Sequence, residues 1–190
     1  MISKSQQIFL IRHGETEWSR SGKHTGLTDV ELTEEGNRQA EALGGELLGR
    51  KLAAWTSPLR RARDTARLAG FPLAQVDDDL REWDYGIYEG RTTLEIRQEN
   101  PDWSVWLAPI VDGESLDQVA ERARKVIDRV TATHGDVGIF AHGHILRILA
   151  ACWIGLPPIT GRYLALDTAT ISVLGYERQT RVIRHWNMMP

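Results

Sequence analysis

Two short apolar runs in this chain stop at the same kind of dipeptide. Ile8 to Ile11 runs into Arg12-His13-Gly14, and Val137 to Ala141 runs into His142-Gly143. Apolar runs of this length read as strands buried on both faces. Along the rest of the chain, apolar runs alternate with helical patterns, the signature of an α/β protein. In parallel α/β sheets ligands bind beyond the carboxyl ends of the strands. The pattern therefore predicts that His13 and His142, far apart in sequence, meet in one pocket at one sheet edge.

The intervening segments fill in that frame. Gln7 to Ile11 reads as a central strand, with polar loop residues after it as far as Asp29. Thr33 to Leu48 reads as a helix: Thr33 suits the N-cap, Glu34 and Glu35 the positive end of the dipole, and Gly49 the exit. Leu52 to Trp55 reads as a strand. Ser57-Pro58 is expected to open the next helix, with Ser as cap and Pro at the first helical position. Arg91 to Leu107 is weakly helical and interrupted by Pro101, whereas Ser115 to Thr131 has strong helical spacing and a capping box of Ser115 with Gln118. A helix is expected from Ile145 to about Trp153, and a hairpin from Ile171 to Tyr176 and Arg181 to Trp186. No repeat, low-complexity tract or linker interrupts the 190 residues, so one domain is expected.

Composition excludes several classes. With 23 Lys and Arg against 26 Asp and Glu, the net charge is −3, so no global basic field for nucleic acid exists. A local basic pocket is compatible with that balance. Cys152 is the only cysteine, which rules out an intramolecular disulfide. The most apolar run, Ile145 to Leu156, is too short to span a bilayer and contains Arg147. The N-terminus shows no signal-peptide pattern, and the expected compartment is the cytoplasm. Seven tryptophans point to an aromatic core or a walled pocket.

The residues at the strand ends carry the chemistry. Arg12-His13 reads either as a strand-end ion pair with a capping histidine or as a nucleophile beside a guanidinium. Neutral imidazole attacks phosphorus and forms a phosphohistidine. The arginine fork matches phosphate oxygens, and its charge disfavours imidazolium. Thr56 to Thr65 reads as a basic solvated helix face or as a helix N-terminus aimed at an anion; spacing does not choose between Arg60 and Arg61. Glu82 and Asp84 lie among Trp83 and Tyr85. Desolvation there and a like-charged phosphate would favour a protonated carboxyl, as a general acid requires. Asp77-Asp78-Asp79 points side chains to opposite faces, and His142-x-His144 has no third ligand at zinc spacing, so no metal is expected. His24, His134 and His185 read as surface or core-edge histidines.

Taken in order, these segments resemble the histidine phosphatase superfamily. The resemblance runs from Phe9 to at least Leu149. It is carried by Leu10-Ile11-Arg12-His13-Gly14-Glu15-Thr16-Glu17-Trp18, Thr25-Gly26-Leu27-Thr28-Asp29 with Leu32 to Gly36, Ser57-Pro58-Leu59-x-Arg61-Ala62-x-x-Thr65-Ala66, Leu80-x-Glu82-x-x-Tyr85-Gly86, and Ala141-His142-Gly143. It implies a phosphoglycerate mutase-like fold: a three-layer α/β/α sandwich around a mostly parallel central sheet, with a short cap-like insertion around 91–114. It also implies that His13 accepts phosphate. Arg12, Arg61 and His142 would form the positive pocket with the Gly143 N–H, and Glu82 would be the acid. No cofactor is implied.

Members of this family divide into phosphatases and mutases. Ser19 stands where mutases have Asn, and the stretch from Arg91 to Glu114 holds only Arg91 and Arg97 as cations, which favours the phosphatase. A mutase-type phosphoryl transfer and a catalytically idle phospho-ligand module are the alternatives. The runs Trp18 to Asp29, Asp77 to Gly86 and Phe140 to His144 look most like the sedoheptulose-1,7-bisphosphatase branch, although that branch's long insertion after the second-histidine helix is missing. That likeness implies a phosphorylated sugar or other small metabolite as partner. It adds Thr25, Gly26, Tyr85 and Arg147 as substrate or phosphate contacts. No nucleic acid or membrane partner is expected; sequence does not decide between a monomer and a homo-oligomer.

Overall fold

The computed structural model describes residues 6–190. Its elements in chain order are β1 (Ile8–Arg12), α1 (Glu17–Ser21), α2 (Glu34–Leu47), β2 (Leu52–Thr56), α3 (Arg60–Leu68), β3 (Gln75–Val76), α4 (Thr93–Glu99), α5 (Leu116–Ala132), β4 (Asp136–Ala141), α6 (Gly143–Trp153), β5 (Ile171–Glu177) and β6 (Thr180–Met188). The six strands form one sheet in the order β3-β2-β4-β1-β5-β6. β1 and β4 pair in parallel, as do β2 with β4 and β2 with β3, while β5 and β6 close the sheet antiparallel. The expected α/β fold with a mostly parallel sheet is the one observed.

Side-chain alternation along β1 divides the core in two. Ile8 and Leu10 point into a cluster with Val126, Ile127 and Val130 of α5 and Ile145, Leu149 and Trp153 of α6. Phe9 and Ile11 point the other way, into Leu43 and Leu47 of α2, Ala66 of α3 and Phe140. Each such fully buried aliphatic side chain is worth roughly 1.5–3 kcal/mol of transfer free energy. The helical spacing of α5 is thus explained by one face docking on the sheet. Of the tryptophans, Trp83, Trp103 and Trp153 are fully buried.

Four local expectations need correction. The stretch 15–29 is not all loop, because Thr16 and Ser19 form a capping box that starts α1, and Gly22 ends it in the left-handed region. Ser57 does not cap α3: the helix starts at Arg60 after Leu59, which makes no side-chain cap bond. The Ser57 hydroxyl is engaged by His142 Nε2 at 2.7 Å instead. The weak helix of 91–107 shrinks to α4, started by a Thr92–Glu95 capping box and finished before Pro101. Finally, α6 begins at Gly143 with His142 at its N-cap, two residues earlier than expected.

Candidate active site

The register of the central strands builds the site. Arg12 pairs with Ala141 and Ile11 with Phe140, so β1 and β4 end level. The next residues, His13 and His142, leave the sheet side by side with ring centroids 5.2 Å apart. His13 N–H donates to the Ala141 carbonyl at 3.0 Å, and Ser57 N–H at the end of β2 donates to Phe140 at 3.0 Å. Three parallel strands therefore deliver Arg12, His13, Ser57 and His142 to one edge, as expected for the two histidines.

After His13 the chain turns through a spot only glycine fits. A Cβ on Gly14 would lie 2.3 Å from the Gly36 carbonyl oxygen, and one on Gly36 would lie 2.1 Å from that of Glu15. Gly14 N–H donates to Thr65 Oγ1 at 3.0 Å, which anchors this turn to α3.

The His13 tautomer follows from geometry. Its Nδ1 lies 2.7 Å from the Gly14 carbonyl oxygen, which only accepts, so Nδ1 carries the hydrogen and Nε2 the lone pair. Burial, then the charges of Arg61 and Arg12, hold this imidazole well below the usual histidine range, against the opposing Gly14 bond. The ring is neutral, with an unprotonated Nε2. His142 is likewise held low by burial and Arg61. Its Nδ1 accepts from Arg61 Nε at 3.1 Å, so its Nε2–H donates to Ser57 Oγ.

The two arginines differ. Arg12 Nη1 donates to the Leu166 carbonyl at 2.5 Å, while its buried Nε has no protein acceptor. Arg61 is fully buried, and besides His142 it serves the carbonyls of Thr28 at 2.9 Å, Thr25 at 3.2 Å and Gly26 at 2.9 Å. Arg61 thus lends charge from behind His142 and ties down the 25–28 loop. Arg60 faces away, paired with Glu31 and Asp64. Gly26 sits against Trp83 and Tyr85, off the cavity wall, and acts through its carbonyl on Arg61.

Glu82 is buried at the start of α6. Oε1 accepts the N–H groups of Trp83 at 3.0 Å and Ile145 at 2.9 Å; Oε2 accepts His144 N–H at 2.9 Å. It supplies the helix cap that His142 does not make, and sits at the positive end of the dipole. Gly143 leaves room there: a Cβ would stand 3.5 Å from the Arg12 guanidinium and 3.6 Å from Glu82 Oε2.

These groups open onto a cavity of about 190 Å³ lined by Arg12, His13, Glu82, Gly143, Thr25, Tyr85 and Arg147, with Ser19, Lys23, His24 and His144 also on its wall. Arg61 and His142 lie behind that wall. His24, expected at the surface or core edge, faces the cavity. It directly precedes Thr25-Gly26, which was the available signal. His144 was not assigned a role from sequence. It sits on the first turn of α6, one residue before the helix start expected from the sequence. Tyr85, pushed well above the usual tyrosine range by burial and Glu82, keeps its proton, and its hydroxyl is hydrogen-bonded with His144 Nδ1 at 2.6 Å. Arg147, one turn further on, lies 4.8 Å over the Trp106 ring and donates to the Gly161 carbonyl at 3.1 Å. Ser19 has its hydroxyl committed to the α1 cap.

The model of the histidine phosphatase superfamily (branch 1) matches residues 8–189. The chain belongs to that superfamily. Among relatives, an acid phosphatase from Mycobacterium tuberculosis is 43% identical over 184 residues, covering 94% of this chain and 90% of its own. The sedoheptulose 1,7-bisphosphatase of Saccharomyces cerevisiae is 37% identical over 191 residues, covering 82% and 70%. A solved structure of an M. tuberculosis open reading frame superposes with a TM-score of 0.92 at 41% identity, covering 97% and 98%. This histidine phosphatase has two larger grooves, of about 450 Å³ beside α3 and about 520 Å³ between Trp106 and α5, but neither is lined by His13, His142 or Glu82. Among the described residues no group of three or more His, Cys, Asp or Glu lies close enough to hold a metal ion, and Asp77 and Asp79 are paired with Arg129. Among the described residues no helix is long and apolar enough to cross a membrane.

Proposed function

We propose that this phosphatase hydrolyses the phosphomonoester of a small phosphorylated sugar through a phosphohistidine on His13 Nε2, without metal. One observation carries the reading. The same cavity is lined by His13, a neutral ring with its lone pair on Nε2, and by Arg12, whose buried Nε–H has no protein acceptor. Buried donors are almost always satisfied, and a phosphoryl oxygen is the acceptor this one fits.

In the first step Nε2 attacks phosphorus as the bond to the sugar oxygen breaks. Glu82 gives that oxygen a proton. Oε2, which accepts one N–H where Oε1 accepts two, is the atom free to carry it. In the second step the Glu82 carboxylate takes a proton from water, hydroxide attacks phosphorus, and the N–P bond breaks. Phosphate leaves, His13 is neutral again and Glu82 is reprotonated. Arg12, the Gly143 N–H and the charge of Arg61 stabilise the transferring group, which is most of what phosphoryl transfer demands.

Hydrolysis is favoured over mutase-type transfer by the 91–114 segment, which we read as a short cap on a single domain. Its two cations are spent locally: Arg91 pairs with Glu99 at 2.5 Å, and Arg97 donates to the Trp103 carbonyl at 2.9 Å. The bisphosphatase relative supports a phosphorylated sugar as substrate. The chain spans 70% of that relative but 90% of the acid phosphatase, which supports a broader range of small phosphomonoesters.

The test is phosphate release from p-nitrophenyl phosphate and a panel of sugar phosphates, with trapping of the phosphoenzyme by an alkaline denaturing quench. The wild type is expected to release phosphate and yield acid-labile, base-stable phosphohistidine. His13→Ala is expected to do neither. Turnover by His13→Ala above about 1% of wild type would reject the covalent mechanism.

A further inference from the structure

We propose that Arg122 is a positioning residue for the acid–base step, its guanidinium setting the main chain that aims Glu82 at the leaving oxygen. The inference rests on the Glu82 reading above. Arg122 lies on α5, off the cavity wall, and is buried. Its fork meets the Glu114 carboxylate side on, Nε to Oε1 at 2.8 Å and Nη2 to Oε2 at 2.7 Å. Nη1 donates to the carbonyls of Asp79 at 2.8 Å and Arg81 at 3.0 Å, and Nη2 to that of Glu82 itself at 3.4 Å. All five N–H donors of the guanidinium are therefore spent, three of them on the segment that carries the acid.

Glu114 closes the frame from the other side. Its Oε2 accepts Asp84 N–H at 3.1 Å, and its carbonyl accepts Trp83 Nε1–H at 2.8 Å. Its own N–H donates to the Asp84 carbonyl at 3.0 Å. Glu82 is thus gripped twice: the side chain by the start of α6, the main chain by α5 through Arg122 and Glu114. Glu114 precedes α5, so the pair links no two helices, and the remaining donors of Arg122 all go to the segment that carries the acid. Lysine at 122 keeps the charge but not the planar fork, and cannot hold a carboxylate and three carbonyls at once.

Displacing a catalytic group by about 1 Å can cost on the order of 10²-fold. The loss falls on the step that needs the acid. An alkoxide must be protonated as it leaves; a nitrophenolate leaves without a proton. Single-turnover phosphorylation of His13 is the readout, by rapid quench, with an alkyl phosphate and with p-nitrophenyl phosphate. Arg122→Lys is expected to slow the alkyl phosphate by roughly tenfold or more and p-nitrophenyl phosphate by less than about threefold, with substrate affinity unchanged. In a Glu82→Gln background the same change is expected to add no further loss with the alkyl phosphate. Equal losses for both substrates, or no loss, would overturn the proposal. If Arg122→Lys does not fold, Glu114→Gln, which keeps volume and one acceptor, is judged by the same criterion. Glu82→Gln alone separates the two ideas. If it slows both substrates equally, the acid assignment fails. If it is selective while Arg122→Lys is not, only the positioning role fails.

Discussion

Arg61 Nε donates to His142 Nδ1 at 3.1 Å, and that bond fixes the second histidine of the site as a neutral donor. With Nδ1 accepting, the hydrogen is on Nε2 and goes to Ser57 Oγ at 2.7 Å. The same guanidinium holds the carbonyls of Thr25, Gly26 and Thr28, so one buried cation orients an imidazole and pins the loop that carries Thr25 and His24 to the cavity wall.

Arg61→Lys should separate charge from geometry. The ammonium keeps a positive charge but cannot serve an imidazole nitrogen and three carbonyls together. Unpaired buried acceptors cost about 1–3 kcal/mol each, so urea unfolding is expected to show a loss of roughly 2–4 kcal/mol. Loss of a preorganised donor set is expected to lower kcat/KM by about 10²-fold. A variant within threefold of wild type in kcat/KM would show that Arg61 contributes little beyond its charge.

Metal dependence is a second, simpler measurement. The positive charge at the site comes from Arg12 and Arg61, and Asp77 and Asp79, the acidic run seen in the sequence, are held in ion pairs with Arg129. Phosphate release after dialysis against EDTA is expected to equal that of untreated enzyme. Activity lost to the chelator and restored by magnesium or zinc would contradict a metal-free site.

The turn after His13 predicts a steric failure. A Cβ at position 14 would meet the Gly36 carbonyl at 2.3 Å, and backbone cannot move aside as a flexible side chain can. Gly14→Ala is expected to destabilise by about 2–3 kcal/mol, the upper range for overpacking. It should also displace the Gly14 carbonyl that fixes the His13 tautomer, lowering the rate of His13 phosphorylation. A variant as stable as wild type, with unchanged phosphorylation, would show that the Gly14–Gly36 approach has slack.

How much of this was legible follows from what sequence patterns encode. The two His-Gly strand ends were readable because a parallel sheet brings strand carboxyl ends together whatever the sequence separation. Blocks on one turn, such as Arg12-His13 and Glu82 to Gly86, were readable for the same local reason. Ser57 reads as a cap from the sequence because its partner, His142, lies just past the end of another strand, and no local rule anticipates a hydroxyl taken by a distant imidazole. α1 was missed because Ser19, not Glu, completes its capping box. The placement of His24 depends on α4 and Trp103 folding over it, with Nε2 on Thr93 Oγ1 at 3.1 Å, and the Arg122–Glu114 frame spans three segments. Such contacts are decided by tertiary packing and leave no periodic trace.

The half-buried His24 carries the last prediction, on acid stability. Burial lowers its pKa from 6.5 to about 4. Between those values the unfolded chain binds a proton that the fold does not, so stability rises with pH there and falls as pH drops through the window. His13, His142 and His144, all held well below the usual range chiefly by burial, act with the same sign. Each such proton costs about 1.4 kcal/mol per pH unit. The urea midpoint is therefore expected to be level from pH 8 to 7 and to fall steeply below about pH 6.5. His24→Gln, which keeps a polar group for Thr93, is expected to leave the neutral plateau nearly unchanged and to remove one proton's worth of slope. Its loss of stability should be shallower from pH 6.5 down to about 4, where the wild-type His24 term levels off. Parallel curves for the two proteins across that window would show that His24 takes up its proton as readily folded as unfolded, and that burial at the cavity wall does not govern it.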